Sequence, residues 1–278
     1  MRIDILTLFP EMFSALNESI LGRAQKQGKV EINVVNIRDY TEDKHLKCDD
    51  YPFGGGAGMV MMPQPIGSAI EAVDPRHEAR RIYLSPKGET LVQQKVFSLL
   101  SYERLVLLCG HYEGVDQRVI DLFIDEEISI GDYVLTGGEL PAMVLCDCVC
   151  RYVDGVISTS SLVDESFSDN LLEYPQYTRP KEYKGLCVPE VLSSGDHAKV
   201  DEWRRREAMK LTKEKRPDLL KRLHMAMLIQ WFPGHMKKAM RDMEEKRALC
   251  DGVICVLDSR APIATYNPKL PEIFAGKP

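Results

Sequence analysis

Three stretches of this 278-residue chain have the features that let a backbone hold a small ligand. The most developed is Ser129-Ile130-Gly131-Asp132-Tyr133-Val134-Leu135-Thr136-Gly137-Gly138-Glu139-Leu140-Pro141, which leaves an apolar run, crosses three glycines and enters the apolar segment Ala142 to Val149. Glycines let a chain approach a ligand closely, and the unpaired N–H groups of a helix start can donate to it. Taken alone, the pattern is equally a plain glycine-rich turn. Two further loops shift the balance, because Arg81-Ile82-Tyr83-Leu84 leads into Ser85-Pro86-Lys87-Gly88 and Leu105 to Cys109 leads into Gly110-His111-Tyr112-Glu113-Gly114-Val115-Asp116. A fourth glycine run, Gly54 to Gly58, is followed by no Gly-Lys-Ser/Thr and fits neither the phosphate-loop nor the dinucleotide spacing.

The elements that must position these loops follow from periodicity. Ile3 to Phe9, ended by Pro10, and Val30 to Ile37 read as strands, as do the apolar runs at Ile82, Leu105 and Ile128. Glu11 to Gln27, Pro63 to Val73, Thr90 to Ser101 and Ala142 to Val149 read as helices. The alternation predicts an α/β fold with a parallel sheet, in which ligands collect beyond the carboxyl ends of the strands, so three such loops are expected to share one crevice. Arg38 to Tyr51 is a long polar loop of the kind that usually carries function. Ser158 to Tyr183, with Pro175 and Pro180, reads as a linker with little regular structure, and helical spacing resumes after Ser193-Ser194-Gly195-Asp196 through Trp203, Ala208 and Leu211.

With 44% hydrophobic residues the chain can bury one good core and carry a smaller second unit. No apolar run is long enough to span a bilayer and the N-terminus enters a strand without a signal pattern, so no membrane association and a cytoplasmic location are expected. The net charge is −6, yet Lys199 to Arg222 holds ten Lys or Arg against five Asp or Glu. That excess reads evenly as a nucleic-acid contact or a solvated helix face. Cys146, Cys148 and Cys150 alternate along a helix with no histidine close in sequence, which favours free buried thiols over a metal site.

The segments LSPKGE, LLCGHYEGVDQR and ISIGDYVLTGGELPAM together resemble the bacterial tRNA (guanine-N1)-methyltransferases, the TrmD family of the SPOUT class. The resemblance covers about residues 1 to 222. It implies a deep trefoil knot formed by Tyr83 to about Asp154, a homodimer whose guanine site is built from both chains, and tRNA as partner; some members depend on magnesium. It also places S-adenosyl-methionine against Ser85, Pro86, Gly110, Tyr112, Glu113, Ser129, Ile130, Gly131, Tyr133, Leu135, Gly137 and Gly138, where Leu84, Leu135 and Pro141 would serve as apolar walls. In the family the stretch matching Gly55, Gly56, Gly58 and Met59 helps to hold the target guanosine and its neighbour, with Ala57 standing where proline is common. His45, Asp50, Arg118 and Arg179 are secondary substrate candidates, each equally readable as a polar loop residue.

Methylating N1 of guanine needs a base for the N1 proton and positive charge near O6. The resemblance puts Arg151 in the second role, although composition alone reads it as a surface arginine. The family's usual Asp-Ser-Phe is here Asp164-Glu165-Ser166-Phe167. Aligning on Ser166 makes Glu165 the expected base, with Asp164 able to substitute if the loop shifts by one residue. The expected organisation is a methyltransferase domain over 1–157, a linker over 158–183, a shortened helical tRNA-binding domain over 184–226 and an incomplete α/β tail over 227–278. In that tail Trp231-Phe232-Pro233-Gly234-His235-Met236 and Val253 to Pro262 resemble the start of ribosome-assembly GTPases with circularly permuted motifs. The alternative reading is therefore a ribosome-assembly GTPase or adaptor fragment. No nucleotide motif follows, so no functional GTP site is expected.

Overall fold

The computed structural model describes residues 1–158, 161–162, 165–168 and 170–220. Asp164 and the expected tail at 227–278 lie outside the described residues, as do Lys221 and Arg222. The chain divides into two compact units at Asp164/Glu165.

The first unit is built on five parallel strands: β1 (Arg2–Thr7), β2 (Glu31–Asn36), β5 (Arg80–Thr90), β6 (Arg104–Cys109) and β7 (Glu126–Ser129), in the order β2-β1-β6-β5-β7. Both faces are covered, which is why the strands read as nearly continuous apolar runs. On one face Ile3, Ile5, Ile82, Leu84, Leu105 and Leu107 pack with helices α1 (Ser19–Lys26), α3 (Gln93–Leu99) and α5 (Glu139–Cys150). On the other, Leu6, Tyr83, Val106 and Leu108 meet α2 (Pro63–Val73) and α4 (Gln117–Phe123). Cys146 and Cys150 are buried in the first layer and all described cysteines are free thiols.

Three expectations change in detail. The helix expected over Glu11 to Gln27 is a 3-10 segment, Pro10–Asn17, followed by α1, whose first residue, Ser19, has a positive φ of 52°. The Asn17 carbonyl packs so closely on Gly22 that a Cβ there would lie 2.0 Å from its oxygen, so this break depends on the glycine. Ser85 to Gly88 is no free loop: β5 pairs with Ile128 at Leu84 and again at Glu89, so the four residues between bulge out of a continuing strand. Finally, the long polar loop, Arg38 to Tyr51, begins within a 3-10 turn, Ile37–Tyr40, and ends in β3 (Asp49–Asp50), which pairs with β4 (Val60–Met61) in a short hairpin whose tip is the Gly54 to Gly58 run.

In the second unit, β8 (Glu182–Tyr183) and β9 (Leu186–Cys187) form a small hairpin and α6 spans His197–Lys215. Asp196 caps α6, its side chain accepting from the Lys199 N–H. Trp203, Ala208 and Thr212 form the buried side of α6. The sequence expects little regular structure before Tyr183, and the segment from Glu165 is indeed irregular, but it is tied down. The Thr212 hydroxyl accepts from the Leu172 N–H at 2.8 Å, and the Ser166 hydroxyl accepts from the Glu173 N–H at 3.0 Å.

Candidate active site

Because β6, β5 and β7 are neighbours, the segments that follow Cys109 and Ser129 and the bulge of β5 after Leu84 rise side by side. Together they line a cleft of about 350 Å³. Leu84, Ser85, Pro86, Gly110, Tyr112, Glu113, Ser129, Ile130, Gly131, Tyr133, Leu135, Gly137, Gly138 and Pro141 all lie in this lining. Tyr83, His111 and Thr136, which the sequence did not single out, lie there as well. Each segment is shaped by its own hydrogen bonds. Ser129 Oγ donates to the Gly131 carbonyl at 3.0 Å and the Tyr133 N–H donates to the same carbonyl at 2.9 Å, turning the third segment back on itself. The Gly138 N–H donates to the Gly110 carbonyl at 2.8 Å and fastens the third segment to the second.

The glycines serve this fastening. A Cβ on Gly138 would meet Cys109 Cα at 2.7 Å and Gly110 N at 2.9 Å, and one on Gly137 would meet Glu139 Oε2 at 2.3 Å and His111 Nδ1 at 2.7 Å. Gly137 and Gly138 thus both line the cleft and lie in close contact with neighbouring parts of the protein. Gly110 is similar, since its Cβ would lie 2.8 Å from the Tyr83 hydroxyl. Burial raises that phenol to about 12, so it stays a neutral hydrogen-bonding group on the cleft floor. Burial beside Glu139 also pushes the Cys109 thiol up, which leaves it unreactive.

The glycine hairpin joins the cleft at its rim. The Glu113 N–H donates to the Met59 carbonyl at 3.0 Å, the Met61 N–H to the Gly114 carbonyl at 2.9 Å and the Asp116 N–H to the Met61 carbonyl at 3.1 Å. Gly58 sits at φ +75° directly against the Glu113 carboxylate. Gly55, Gly56 and Gly58 are therefore exposed on an arm anchored beside Glu113, although they do not line the cleft. Asp50 is exposed on β3 of the same arm, and its carboxylate accepts from the Tyr51 N–H at 2.8 Å.

The remaining candidates lie elsewhere. His45 is exposed in the loop capped by Asp43, whose side chain accepts from the His45 N–H at 2.7 Å. Arg118 is paired with Asp116 at 2.8 Å through a two-pronged contact at the start of α4, and its guanidinium holds that carboxyl below its ordinary range. Arg151 follows the last residue of α5, with its guanidinium 5.4 Å from the Tyr152 ring centre. The 12 residues of α5 begin in the cleft, so Arg151 stands roughly 18 Å along the helix from it. Glu165 and Arg179 belong to the second unit. Glu165 opens a turn in which its carbonyl accepts from the Ser168 N–H at 3.1 Å, and Arg179 borders a surface hollow with Tyr177, Lys181 and Leu192.

Comparison with known proteins identifies the family. The family model described as tRNA (Guanine-1)-methyltransferase TrmD matches residues 1–222. A tRNA (guanine-N(1)-)-methyltransferase of Ruminiclostridium cellulolyticum is 59% identical over 227 residues, covering 80% of this chain and 97% of that protein. Those of Clostridioides difficile, 53% identical over 80% of this chain and 98% of that one, and Alkaliphilus oremlandii, 54% identical over 85% and 99%, carry the same description. On a model match spanning most of its length and relatives above half identity, the chain belongs to the tRNA (guanine-N1)-methyltransferase family TrmD.

Proposed function

We propose that the cleft holds S-adenosyl-methionine and that the protein methylates N1 of the guanine immediately 3′ of the anticodon in tRNA. The observation that carries this reading is the convergence of three segments from adjacent strands on a single cleft, with the residues that the family resemblance assigns to the donor in its lining. The lining fits such a donor. Leu84, Leu135 and Pro141 offer apolar walls for an adenine and a methionine chain, and the Glu113 carboxylate offers a counter-charge to a cationic ligand. When bound, the donor supplies an electrophilic methyl group.

The chain's own residues do the rest. Glu165 takes the N1 proton, which frees the lone pair that attacks, and Arg151 donates to O6 as negative charge gathers there. Since Arg151 stands at the far end of α5 from its own cleft, it serves the cleft of a second copy. The exposed Leu140 and Val144, one turn apart on α5, give that copy an apolar surface. The reading therefore includes a homodimer, with the knot over Tyr83 to about Asp154. The arm at Gly55, Gly56, Gly58 and Met59 holds the target guanosine, and the basic α6 region contacts tRNA phosphates, assisted by His45, Asp50, Arg118 and Arg179. Among the described residues no helix is long and apolar enough to cross a membrane. The reading places the action on tRNA in the cytoplasm.

The test is transfer of labelled methyl groups from S-adenosyl-methionine to unmodified tRNA, with and without a magnesium chelator. Label should enter the tRNA and be lost when the guanine 3′ of the anticodon is replaced. Labelling that survives this replacement would overturn the site assignment, and loss on chelation alone would establish the magnesium requirement.

A further inference from the structure

Beneath the cleft lies a buried polar cluster that donor contacts alone do not explain. Glu139, the first residue of α5, is 2% exposed, and its Oε1 accepts from the hydroxyl of Thr7, which is wholly buried at the end of β1, at 2.9 Å. Its Oε2 lies 3.9 Å from His111 Nδ1. The His111 ring sits between Phe9, 4.7 Å between ring centres, and Tyr112, 4.9 Å, and its Nδ1 is buried without a hydrogen-bond partner among the described residues. A buried ring nitrogen without a partner and a carboxylate oxygen face each other across a gap about 1 Å longer than a hydrogen bond.

The gap is placed where it can matter. His111 stands on the second cleft segment, next to Tyr112, which holds a strained φ of +58°, and Glu139 stands at the root of the third. A side chain at Gly137 would strike both groups, since its Cβ would lie 2.3 Å from Glu139 Oε2 and 2.7 Å from His111 Nδ1. Closing the gap would draw the two segments together and fix the rim that faces the ligand. We infer that His111 and Glu139 are positioning residues, and that donor binding closes their gap into an Nδ1–H···Oε2 hydrogen bond across the two segments. The inference rests on the cleft being the donor site. It assigns His111 the tautomer with the proton on Nδ1, and Thr7 the task of aiming the carboxylate.

Nitrogen NMR of histidine-labelled protein, titrated with S-adenosyl-methionine or S-adenosyl-homocysteine, reads the bond directly. At saturation the His111 Nδ1 signal should become that of a protonated, hydrogen-bonded nitrogen, and Glu139→Ala should abolish the change. In calorimetry, His111→Leu and Glu139→Ala should each weaken donor binding on the order of tenfold, and the double variant no further, because one bond joins them. His111→Asn, whose amide N–H can occupy the Nδ1 position, should bind within about threefold of the parent. A packing role would instead favour leucine at least as well as asparagine, so equal binding by the two overturns the inference, as does an unchanged Nδ1 signal in the saturated parent. If any variant fails to fold, the parent's NMR signal decides. Absence of donor binding to the parent would reject the cleft assignment itself.

Discussion

Replacing Gly138 with alanine tests whether the cleft is held in shape by close backbone contact. Gly138 adopts ordinary right-handed dihedrals, φ −82° and ψ −4°, so alanine brings no backbone strain and the effect is steric alone. The new Cβ would lie 2.7 Å from Cys109 Cα, where ordinary contact begins at 3.4 Å, leaving an overlap of roughly 0.7 Å against main chain at the end of a central strand. Neither β6 nor the buried start of α5 can yield easily, so the third cleft segment must move outward and stretch the 2.8 Å bond from Gly138 N–H to Gly110. Overpacking of this kind costs about 1–3 kcal/mol, of which up to ~1 kcal/mol is offset by the stiffer unfolded chain. The expected net loss is about 1–2 kcal/mol, a fall in Tm of roughly 2–8 °C. Donor affinity should drop more sharply, about tenfold or beyond, since the displaced segment carries Leu135 and Gly137 of the lining. Differential scanning fluorimetry and calorimetry read the two effects. The matched control is Gly67→Ala on α2, outside the cleft lining, where a Cβ meets only the Phe123 ring at 3.2 Å; it should leave donor affinity unchanged. Parent-like melting and donor binding within twofold for Gly138→Ala would refute the reasoning.

Three further outcomes are expected. Glu165→Gln should slow single-turnover methyl transfer by ~100-fold or more with donor affinity intact, and Asp164→Asn should do less; the reverse ranking in rapid-quench assays would move the base by one residue. Arg151→Ala and Gly137→Val should each be inactive as homodimers, yet mixing them should recover activity by pairing one chain's intact cleft with the other's intact arginine; a dead mixture argues against a shared site. Burial alone would raise the Asp4 carboxyl, but Arg2, Asn33 and Arg104 together hold it below its ordinary 3.8. A lowered folded value means that its stabilisation is present above that ordinary value and lost as pH falls through the folded one. Asp4→Asn should therefore destabilise by about 2 kcal/mol at pH 7, and urea titrations should show the difference from the parent shrinking below pH 4.

The sequence carried the alternation of strands and helices, and with it the rule that ligand segments gather at strand ends. It did not carry the order β6-β5-β7, because an apolar strand says that it is buried without saying which strand lies beside it. That order is what makes the three segments neighbours. The two glycines that most suggested a ligand, Gly137 and Gly138, show the same limit: spacing reveals that something comes close, while only the fold reveals that it is Glu139, His111 and the end of β6. Thr7 and Glu139, bonded though 132 residues apart, read separately as a strand residue and a helix start. Arg151 makes the point in reverse. It follows the third segment closely in sequence, which suggests one site, yet a helix converts those twelve residues into distance, and the same regularity that reveals α5 carries its last side chain away from its first. On the proposed reading, a cleft and an arginine at opposite ends of one rigid helix act on one base because a second copy brings its own helix alongside.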